Sequence, residues 1–256
     1  MICRFLVTLT AVFAHIANAH NIEEQIRLVS QTKSAVVGVG VYHPLGAPKH
    51  KLLGTGFAIQ NRGSKTIILT NHHVVNGAPF NKPKTEISVH IGEGKNAKLI
   101  KAKLLGQSSR ADIALLEIND YVPALSLQSA GQTAPAGSEI LIVGLPIGSV
   151  LGFYKSAHTG MVAAYVPMAI PQSRANQLTP EVIRQLRDPL FVYQLDATAY
   201  PGNSGSPVIN KQTGEVIAIL NSVKVKSTKE HVLSDPSGIS YAIPASEIRL
   251  LMKQTL

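Results

Sequence analysis

Cysteine is almost absent from this sequence, in which Cys3 is the only one among 256 residues. It lies inside the first 19 residues, whose pattern predicts a signal peptide that is removed on export. The 237 residues that would remain of the 256 contain no thiol, which excludes disulfides as a means of stabilisation. A domain of this size must therefore be held together by its apolar core.

A long apolar run is also missing. The N-terminal segment combines Arg4, a short apolar run over residues 5–14 and the small-x-small site Ala17-Asn18-Ala19. A membrane-spanning helix needs roughly 20 apolar residues, so this run is too short to be one. We expect cleavage after Ala19, a mature protein that is periplasmic or secreted, and no transmembrane segment within it.

Acidic residues are few: 15 Asp and Glu stand against 24 Lys and Arg, which gives a formal net charge of +9. A positive charge of this size favours anionic partners such as nucleic acid or lipid headgroups. The lysine clusters at 95–103 and 224–229 contain no aromatic side chain that could stack on a base. A nucleic-acid partner is therefore not expected.

Short strand-like segments bounded by Gly, Pro, Asn or Ser dominate the chain and predict an all-β fold. Two units of about six strands each are expected, joined by the small-residue linker 127–137. The predicted parts are a signal peptide at 1–19, an N-terminal helical segment at 20–33, a first β unit at 34–126 and a second β unit with a C-terminal helix at 138–256.

The expected strands cover residues 34–42, 53–60, 66–70, 86–91, 99–105, 112–118, 139–143, 160–166, 191–196, 207–210, 215–222 and 240–243. Helical patterns are predicted in three places only. They lie at Ile22 to Val29, after Thr179, and from a cap at Ser246 to Met252.

The segment AYPGNSGSPVIN at 199–210 places Gly202, Asn203, Ser204 and Gly205 between two prolines. These residue types form turns, so an ordinary turn that enters a strand is one interpretation. The other is a loop that presents the Ser204 hydroxyl beside backbone N–H groups. A serine becomes nucleophilic only when a base takes its proton and a third group orients the base. The second interpretation therefore requires a histidine and a carboxylate elsewhere in the chain.

A histidine pair and a single carboxylate stand at the ends of two predicted strands. His72 and His73 follow TIILT, and Asp112 precedes the apolar run IALLEI, where an acid without a partner would be costly to desolvate. The sequence has no aspartate before Asp112, and GNSGS lacks the last glycine of a G-x-S-x-G elbow. The order His73, Asp112, Ser204 is that of the chymotrypsin-type barrels.

Six segments resemble, in order, the protease domain of the HtrA (Deg) serine proteases. They are GTGFAI at 54–59, ILTNHHVV at 68–75, ADIALLEI at 111–118, PGNSGSPV at 201–208, GEVIAI at 214–219 and GISYAIP at 238–244. The resemblance implies a chymotrypsin-like fold with two six-stranded antiparallel β-barrels and a serine endopeptidase that needs no cofactor or metal. It assigns His73 as general base, Asp112 as its orienting acid and Ser204 as nucleophile, with an oxyanion hole at Gly202, Asn203 and Ser204.

The resemblance further implies polypeptide substrates, unfolded proteins among them, and a homo-oligomer that the segment 22–34 could form. Two departures from the family stand out. Ser206 replaces a residue that is usually Gly, and we expect this to alter packing and not chemistry. Only about a dozen residues follow Pro244, so a protease domain without the PDZ domain that commonly follows it is expected.

The specificity pocket of the barrel family maps to Thr198, Ile219, Leu220, Asn221 and Tyr241. No acid stands at position 198, which argues against cleavage after Lys or Arg. No histidine stands in the strand 217–221, which argues against cleavage after Glu. A small or apolar residue before the cleaved bond is the resulting prediction.

A metal site at His72 and His73 is not expected, because adjacent residues of an extended chain point to opposite faces. His72 is expected to have a structural or exposed position. A catalytically slow, peptide-binding pseudoprotease is the alternative to an active endopeptidase, since the sequence does not reveal the conformation of the oxyanion loop.

Overall fold

Two closed antiparallel β-barrels of six strands each form the fold. The computed structural model describes residues 22–94, 97–146, 153–168, 187–221 and 238–256. The strands of barrel 1 are β1 Val36–Tyr42, β2 His50–Arg62, β3 Lys65–Thr70, β4 Glu86–Ile91, β5 Lys98–Ser108 and β6 Ile113–Ile118. Those of barrel 2 are β7 Glu139–Gly144, β8 Ser156–Pro167, β9 Phe191–Asp196, β10 Pro207–Asn210, β11 Val216–Asn221 and β12 Ile239–Pro244.

The strand order is β1-β2-β3-β6-β5-β4 in barrel 1 and β10-β11-β12-β9-β8-β7 in barrel 2. This architecture confirms the predicted double six-stranded antiparallel β-barrel. Strand β8 begins at Ser156 and not at the predicted residue 160, because Ala157, His158 and Thr159 pair with β7. These residues lack an apolar alternation, so their sequence alone carries no strand signal.

Helices are short and lie at the margins of the barrels. Helix α1 spans residues 22–35, α2 is the single turn His72–Val75, α3 is Ala245–Thr255, and a 3₁₀ turn covers Ala78–Asn81. The prediction that Ser246 caps the last helix was wrong. The N-cap is Pro244, two residues earlier, and no side chain caps the helix. The helix predicted after Thr179 lies outside the described residues.

Apolar side chains pack into three clusters because neighbouring strand residues point to opposite faces. Val37 belongs to a cluster inside barrel 1 and Ile217 to one inside barrel 2. Val36 and Val216, each one position away, belong to a third cluster that contains residues of both barrels. Strands β1 and β11 are therefore buried on both faces, and the barrels share one core at their junction.

None of the described helices is both long and apolar enough to cross a membrane.

Candidate active site

An imidazole–carboxylate pair lies at one end of barrel 1. His73 Nδ1 is 2.7 Å from Asp112 Oδ2, and the His73 backbone N–H donates to Oδ1 of the same carboxylate at 2.9 Å. His73 stands in α2 just after β3, and Asp112 stands just before β6. Strands β3 and β6 are hydrogen-bonded neighbours in which Thr70 pairs with Ala114, so the two side chains meet at the same edge of the barrel.

The contact with Asp112 sets the tautomer of His73. An ionised carboxylate can only accept hydrogen bonds, so Nδ1 carries the proton and Nε2 keeps its lone pair. The His73 side chain is 28% exposed, whereas that of Asp112 is 9% exposed. The imidazole is therefore open to a reactant while the carboxylate behind it is shielded. A ring in this state can take a proton from a hydroxyl placed at Nε2.

Asp112 is held by several donors besides His73. Asn221 Nδ2, at the end of β11 in barrel 2, donates to Asp112 Oδ2 at 2.8 Å. Asn71 Nδ2 and the His72 N–H donate to the Asp112 main-chain carbonyl at 3.0 and 3.1 Å. The residue has a φ of 54°, in the left-handed region that few residues other than Gly adopt. Such a conformation persists where surrounding contacts over-determine it, often at a functional site.

The loop between β9 and β10 carries Ser204 between two glycines with positive φ. Gly202 has a φ of 97° and Gly205 a φ of 90°. A Cβ added to Gly205 would lie 1.9 Å from the Thr55 carbonyl oxygen and 2.8 Å from Thr70 Oγ1. Because Gly205 has no side chain, this nucleophile loop, residues 199–206, can pack directly against the middle of β2 at Thr55 and the end of β3 at Thr70. The loop therefore lies close to the start of α2.

Strand β2 brings Ser204 close to the His73 segment. A Cβ added to Gly54 would lie 2.9 Å from the Ser204 carbonyl oxygen and 2.7 Å from Val74 Cγ2. The Thr55 N–H donates to the Ser204 carbonyl at 2.8 Å. Ser204 and Val74, the residue that follows His73, thus both lie close to Gly54 of β2.

Strand β11 brings the same loop close to Asp112. The Gly205 N–H donates to the Leu220 carbonyl at 3.0 Å. Asn221, the next residue, is the one whose amide contacts Asp112. Residues 73, 112 and 204 therefore lie around one junction, where the ends of strands from both barrels meet.

The structure corrects the predicted oxyanion hole at Asn203. Its N–H donates to the Tyr200 carbonyl at 3.0 Å, and its carbonyl accepts the Ser206 N–H at 3.0 Å. Naming Asn203 as a donor was wrong for this conformation, because its N–H is already used within the loop. The N–H groups of Gly202 and Ser204 remain the candidate donors.

Comparison with known protein families bears on this arrangement. A family model described as "Trypsin-like peptidase domain" matches residues 54–219, which include all three residues at the junction. The chain belongs to the trypsin-like peptidase family.

Its curated relatives include HtrA-type serine proteases, which confirms the resemblance seen in the sequence. Serine protease Do-like HtrA of Bacillus subtilis is 28% identical over 204 residues, which are 79% of this chain and 39% of that protein. A probable periplasmic serine endoprotease DegP-like of Halomonas elongata is 33% identical over 209 residues, 78% of this chain and 35% of that protein. The chain spans less than half the length of these relatives.

Solved structures of proteases share the fold of this trypsin-like domain. The serine endoprotease from Yersinia pestis has a TM-score of 0.59 at 24% identity and covers 89% of this chain and 65% of its own. A protease from M. tuberculosis in its active form has a TM-score of 0.61 at 22% identity, covering 89% of this chain and 83% of its own. At this identity the likeness concerns the fold.

The residues predicted for the specificity pocket fall into two groups in this trypsin-like peptidase domain. Ile219, Leu220 and Asn221 are fully buried: the first two belong to apolar clusters, and the third contacts Asp112. Their side chains serve the core and the acid because β11 lies where the two barrels meet. Thr198 and Tyr241 are half-buried. Their assignment to a substrate pocket stays a prediction.

A histidine that sequence reasoning did not single out lies beside the nucleophile loop. The ring of His158, on β8, has its centroid 5.7 Å from that of Tyr200, four positions before Ser204. Its Nε2 is buried and has no hydrogen-bond partner among the described residues. Burial lowers the pKa of His158, so the ring is held neutral near neutral pH.

His72 has the structural position that was expected, although its setting differs. The residue lies in α2 and not on extended chain; its Nδ1 is 3.1 Å from Gln107 Oε1 and its Nε2 is 3.0 Å from Asn76 Nδ2. Within the described ranges, no cluster of three or more His, Cys, Asp or Glu side chains could hold a metal ion.

Sequence reasoning also missed the contacts of Thr55 and Asn221 with the site. Thr55 is fully buried on β2, and its hydroxyl and N–H both contact the nucleophile loop. The available signal was a polar residue between two glycines in the otherwise apolar stretch LLGTGFAI. For Asn221 the signal was a single amide that ends the apolar run VIAIL.

Proposed function

We propose that this trypsin-like peptidase domain is an exported serine endopeptidase in which His73, Asp112 and Ser204 act as a catalytic triad. The observation that carries the proposal is the double contact of His73 with the Asp112 carboxylate at the strand ends that also hold the Ser204 loop. The His73 side chain is partly exposed, so its imidazole is accessible to a reacting group while the carboxylate behind it is shielded. An imidazole that is oriented in this way by a carboxylate can take a proton from a neighbouring hydroxyl.

In the proposed reaction, the Ser204 hydroxyl attacks the carbonyl carbon of a peptide bond while His73 Nε2 takes its proton. Asp112 stabilises the resulting imidazolium through the Nδ1–H. The Gly202 and Ser204 N–H groups stabilise the negative oxygen of the tetrahedral intermediate. His73 then gives the proton to the leaving amine, and an acyl-enzyme remains on Ser204. Water, activated by the same ring, attacks the ester and releases the acid product.

The proposed substrates are polypeptides that bind as an extended strand along the cleft between the barrels. Unfolded proteins fit this mode because their backbone N–H and C=O groups are free to pair. We further propose a preference for a small or apolar residue before the cleaved bond, since no acid stands at Thr198. Assembly into a homo-oligomer through the segment 22–34 belongs to the same proposal.

The proposed location outside the cytoplasm rests on the first 19 residues together with the periplasmic relatives. A DegP-like relative from Pseudomonas savastanoi is named as a probable periplasmic endoprotease. Another relative, from Drosophila grimshawi, is named as mitochondrial, so membership of the family does not by itself set the compartment. The pattern of residues 1–19 favours export.

The test is hydrolysis of a fluorogenic unfolded casein by the mature protein and by Ser204→Ala. We expect cleavage by the wild type and a loss of about 10⁶-fold in kcat for the variant, as in other triads that lose the nucleophile. Ser206→Ala is the matched control, because its hydroxyl is buried and has no hydrogen-bond partner among the described residues. It should keep wild-type rates.

The opposite result has a defined meaning. A folded wild type that cleaves nothing, yet binds the unfolded casein as tightly as Ser204→Ala does, contradicts the endopeptidase and favours the peptide-binding pseudoprotease.

A further inference from the structure

Thr55 of barrel 1 makes two direct hydrogen bonds to the nucleophile loop. It is fully buried on β2. Its hydroxyl donates to the Gly202 carbonyl at 2.7 Å, and its N–H donates to the Ser204 carbonyl at 2.8 Å. Its own carbonyl accepts the Thr70 hydroxyl at 2.7 Å. Each polar group of Thr55 is thus used at the junction of the two barrels.

The direction of the Thr55 hydroxyl hydrogen is fixed by a further contact. The Leu145 N–H, just after β7, donates to Thr55 Oγ1 at 3.0 Å. The oxygen accepts there, so its single hydrogen must point to the Gly202 carbonyl. The hydroxyl therefore connects the end of β7 to the loop through one continuous chain of hydrogen bonds. A residue without a hydroxyl would leave a buried N–H and a buried carbonyl unpaired.

These contacts set the orientation of the peptide groups around Ser204. The peptide between Gly202 and Asn203 is held at both ends, with its carbonyl on Thr55 and its N–H on Tyr200. The peptide after Ser204 is held by the Thr55 N–H. The peptide that carries the Ser204 N–H lies between these two and is planar and trans. Its carbonyl accepts the Ser206 N–H, so the Ser204 N–H must point the opposite way.

We propose that the Thr55 hydroxyl is the positioning group of the oxyanion hole, which it fixes by orienting the Gly202 carbonyl from the opposite barrel. Thr55 touches no substrate atom in this role and acts through Gly202 and Ser204. The inference rests on the proposed endopeptidase function. It adds that barrel 1 supplies the geometry of the oxyanion site as well as the base and the acid.

The experiment compares Thr55→Val, which keeps the shape and removes the hydroxyl, with Thr55→Ser, which keeps the hydroxyl. We expect Thr55→Val to lower kcat by about 10²-fold with KM within about threefold, because a loss of oxyanion stabilisation affects the transition state. Thr55→Ser should recover most of the rate. The inhibition constant of a peptide boronic acid, whose tetrahedral adduct uses the oxyanion hole, should rise in Thr55→Val by a similar factor.

Thr66→Val is the matched control for a purely structural effect. Thr66 is also fully buried in barrel 1, and its hydroxyl contacts Asn61 Oδ1 and the Asp120 carbonyl, at the far end of β3. We expect Thr66→Val to have a lower Tm than wild type. The kcat of the folded variant and its inhibition constant for the peptide boronic acid should be unchanged. Equal losses of kcat in Thr55→Val and Thr66→Val would overturn the proposal.

Two further outcomes separate this inference from the proposed function. If the wild type cleaves casein, Ser204→Ala does not, and Thr55→Val keeps wild-type kcat, the positioning role is wrong and the endopeptidase stands. If Thr55→Val does not fold, Thr55→Cys replaces it, since a thiol fills similar space and is a weaker donor. A fall in its kcat with KM kept supports the role, and an unchanged kcat contradicts it.

Discussion

At the scale of single residues, the environment of Asp112 decides what the site can do. Its carboxylate accepts hydrogen bonds from the His73 backbone, the His73 ring and the Asn221 amide. Donors to a charged acceptor give stronger hydrogen bonds than neutral pairs do. They fix both the position of the acid and the tautomer of the ring. An acid held in this way orients a base and does not need to take a proton itself.

The first prediction follows from this role. Asp112→Asn keeps the shape of the side chain, but its amide can donate to Nδ1 and stabilise the wrong tautomer of His73. We expect kcat for casein cleavage to fall by about 10⁴-fold with little change in Tm. Asp196→Asn, at an exposed acid of β9, is the matched control and should keep full activity. Similar rates for Asp112→Asn and wild type would remove Asp112 from the triad.

The site residues that could be predicted from the sequence are those that stand in recognisable motifs. His73, Asp112 and Ser204 stand in motifs whose order restricts the choice of fold. Thr55 and Asn221 could not be assigned, because a single hydroxyl or amide in an apolar strand is compatible with many partners. Their contacts arise only when strands far apart in the chain meet.

At the scale of elements, the nucleophile loop depends on a glycine that packs against another strand. Gly205→Ala would introduce a methyl group 1.9 Å from the Thr55 carbonyl at a φ of 90°. We expect a loss of about 3 kcal/mol or more in the free energy of unfolding, together with the loss of casein cleavage. Thermal unfolding and activity measure the two effects.

Gly214→Ala is the control for the backbone conformation alone. Gly214 has a φ of 71°, and a Cβ there would have Leu28 Cδ1 at 3.7 Å as its neighbour. We expect a cost of about 1–2 kcal/mol and no change in kcat. If Gly205→Ala and Gly214→Ala lose the same free energy of unfolding and both stay active, the close packing of the loop against β2 has no importance for the site.

Strand β4 carries a second testable group, the His90 imidazole. Its ring stacks on Phe153 with a centroid distance of 4.7 Å and meets the ring of His50 in a perpendicular, edge-to-face arrangement with a centroid distance of 6.1 Å. Burial, together with the nearby His50, lowers the pKa of His90 from 6.5 to about 4. The unfolded chain therefore binds a proton below about pH 6.5 that the folded protein takes up only near pH 4. Stability must fall as the pH falls through this window.

The measurement is the free energy of unfolding of wild type and His90→Phe between pH 7 and pH 4. We expect wild type to lose up to about 3 kcal/mol more than the variant over this interval, since one pKa unit corresponds to about 1.36 kcal/mol. The variant keeps an aromatic ring against Phe153 but cannot titrate. Parallel curves for the two proteins would contradict a neutral, buried His90.

Elements were predictable where periodicity and turn residues agree, as in β4, β9 and β10, whose bounds match the expected ones. Helix α2 was not predicted, because its four residues HHVV are too short to show a helical period. The early part of β8 was missed for a similar reason, since its pairing with β7 and not its composition makes it a strand.

At the scale of the whole molecule, the shared apolar cluster couples the two barrels. Phe57 and Leu69 of barrel 1 belong to the same cluster as Ile209 and Ile219 of barrel 2. A site built from the ends of strands of both barrels requires that they keep a fixed relation. The double barrel itself was predictable from the resemblance, whereas this common core depends on which face of each strand turns toward the neighbour.

We therefore expect one cooperative unfolding transition. The sequence contains no Trp, so Tyr121→Trp and Tyr165→Trp, at exposed positions of barrel 1 and barrel 2, provide separate reporters. Both reporters should show the same midpoint of unfolding. Phe57→Ala should lower that midpoint for both reporters, because it costs about 3–5 kcal/mol in the free energy of unfolding. Midpoints that differ between the reporters would mean that the barrels unfold independently.

The most direct test of the account is the reaction of the mature protein with a fluorophosphonate, followed by mass spectrometry of the adduct. The account predicts a single adduct on Ser204, formed rapidly by wild type and slowed by several orders of magnitude in His73→Ala. A folded wild type that stays unlabelled, or that reacts no faster than His73→Ala, would contradict a hydroxyl at 204 activated by the imidazole at 73.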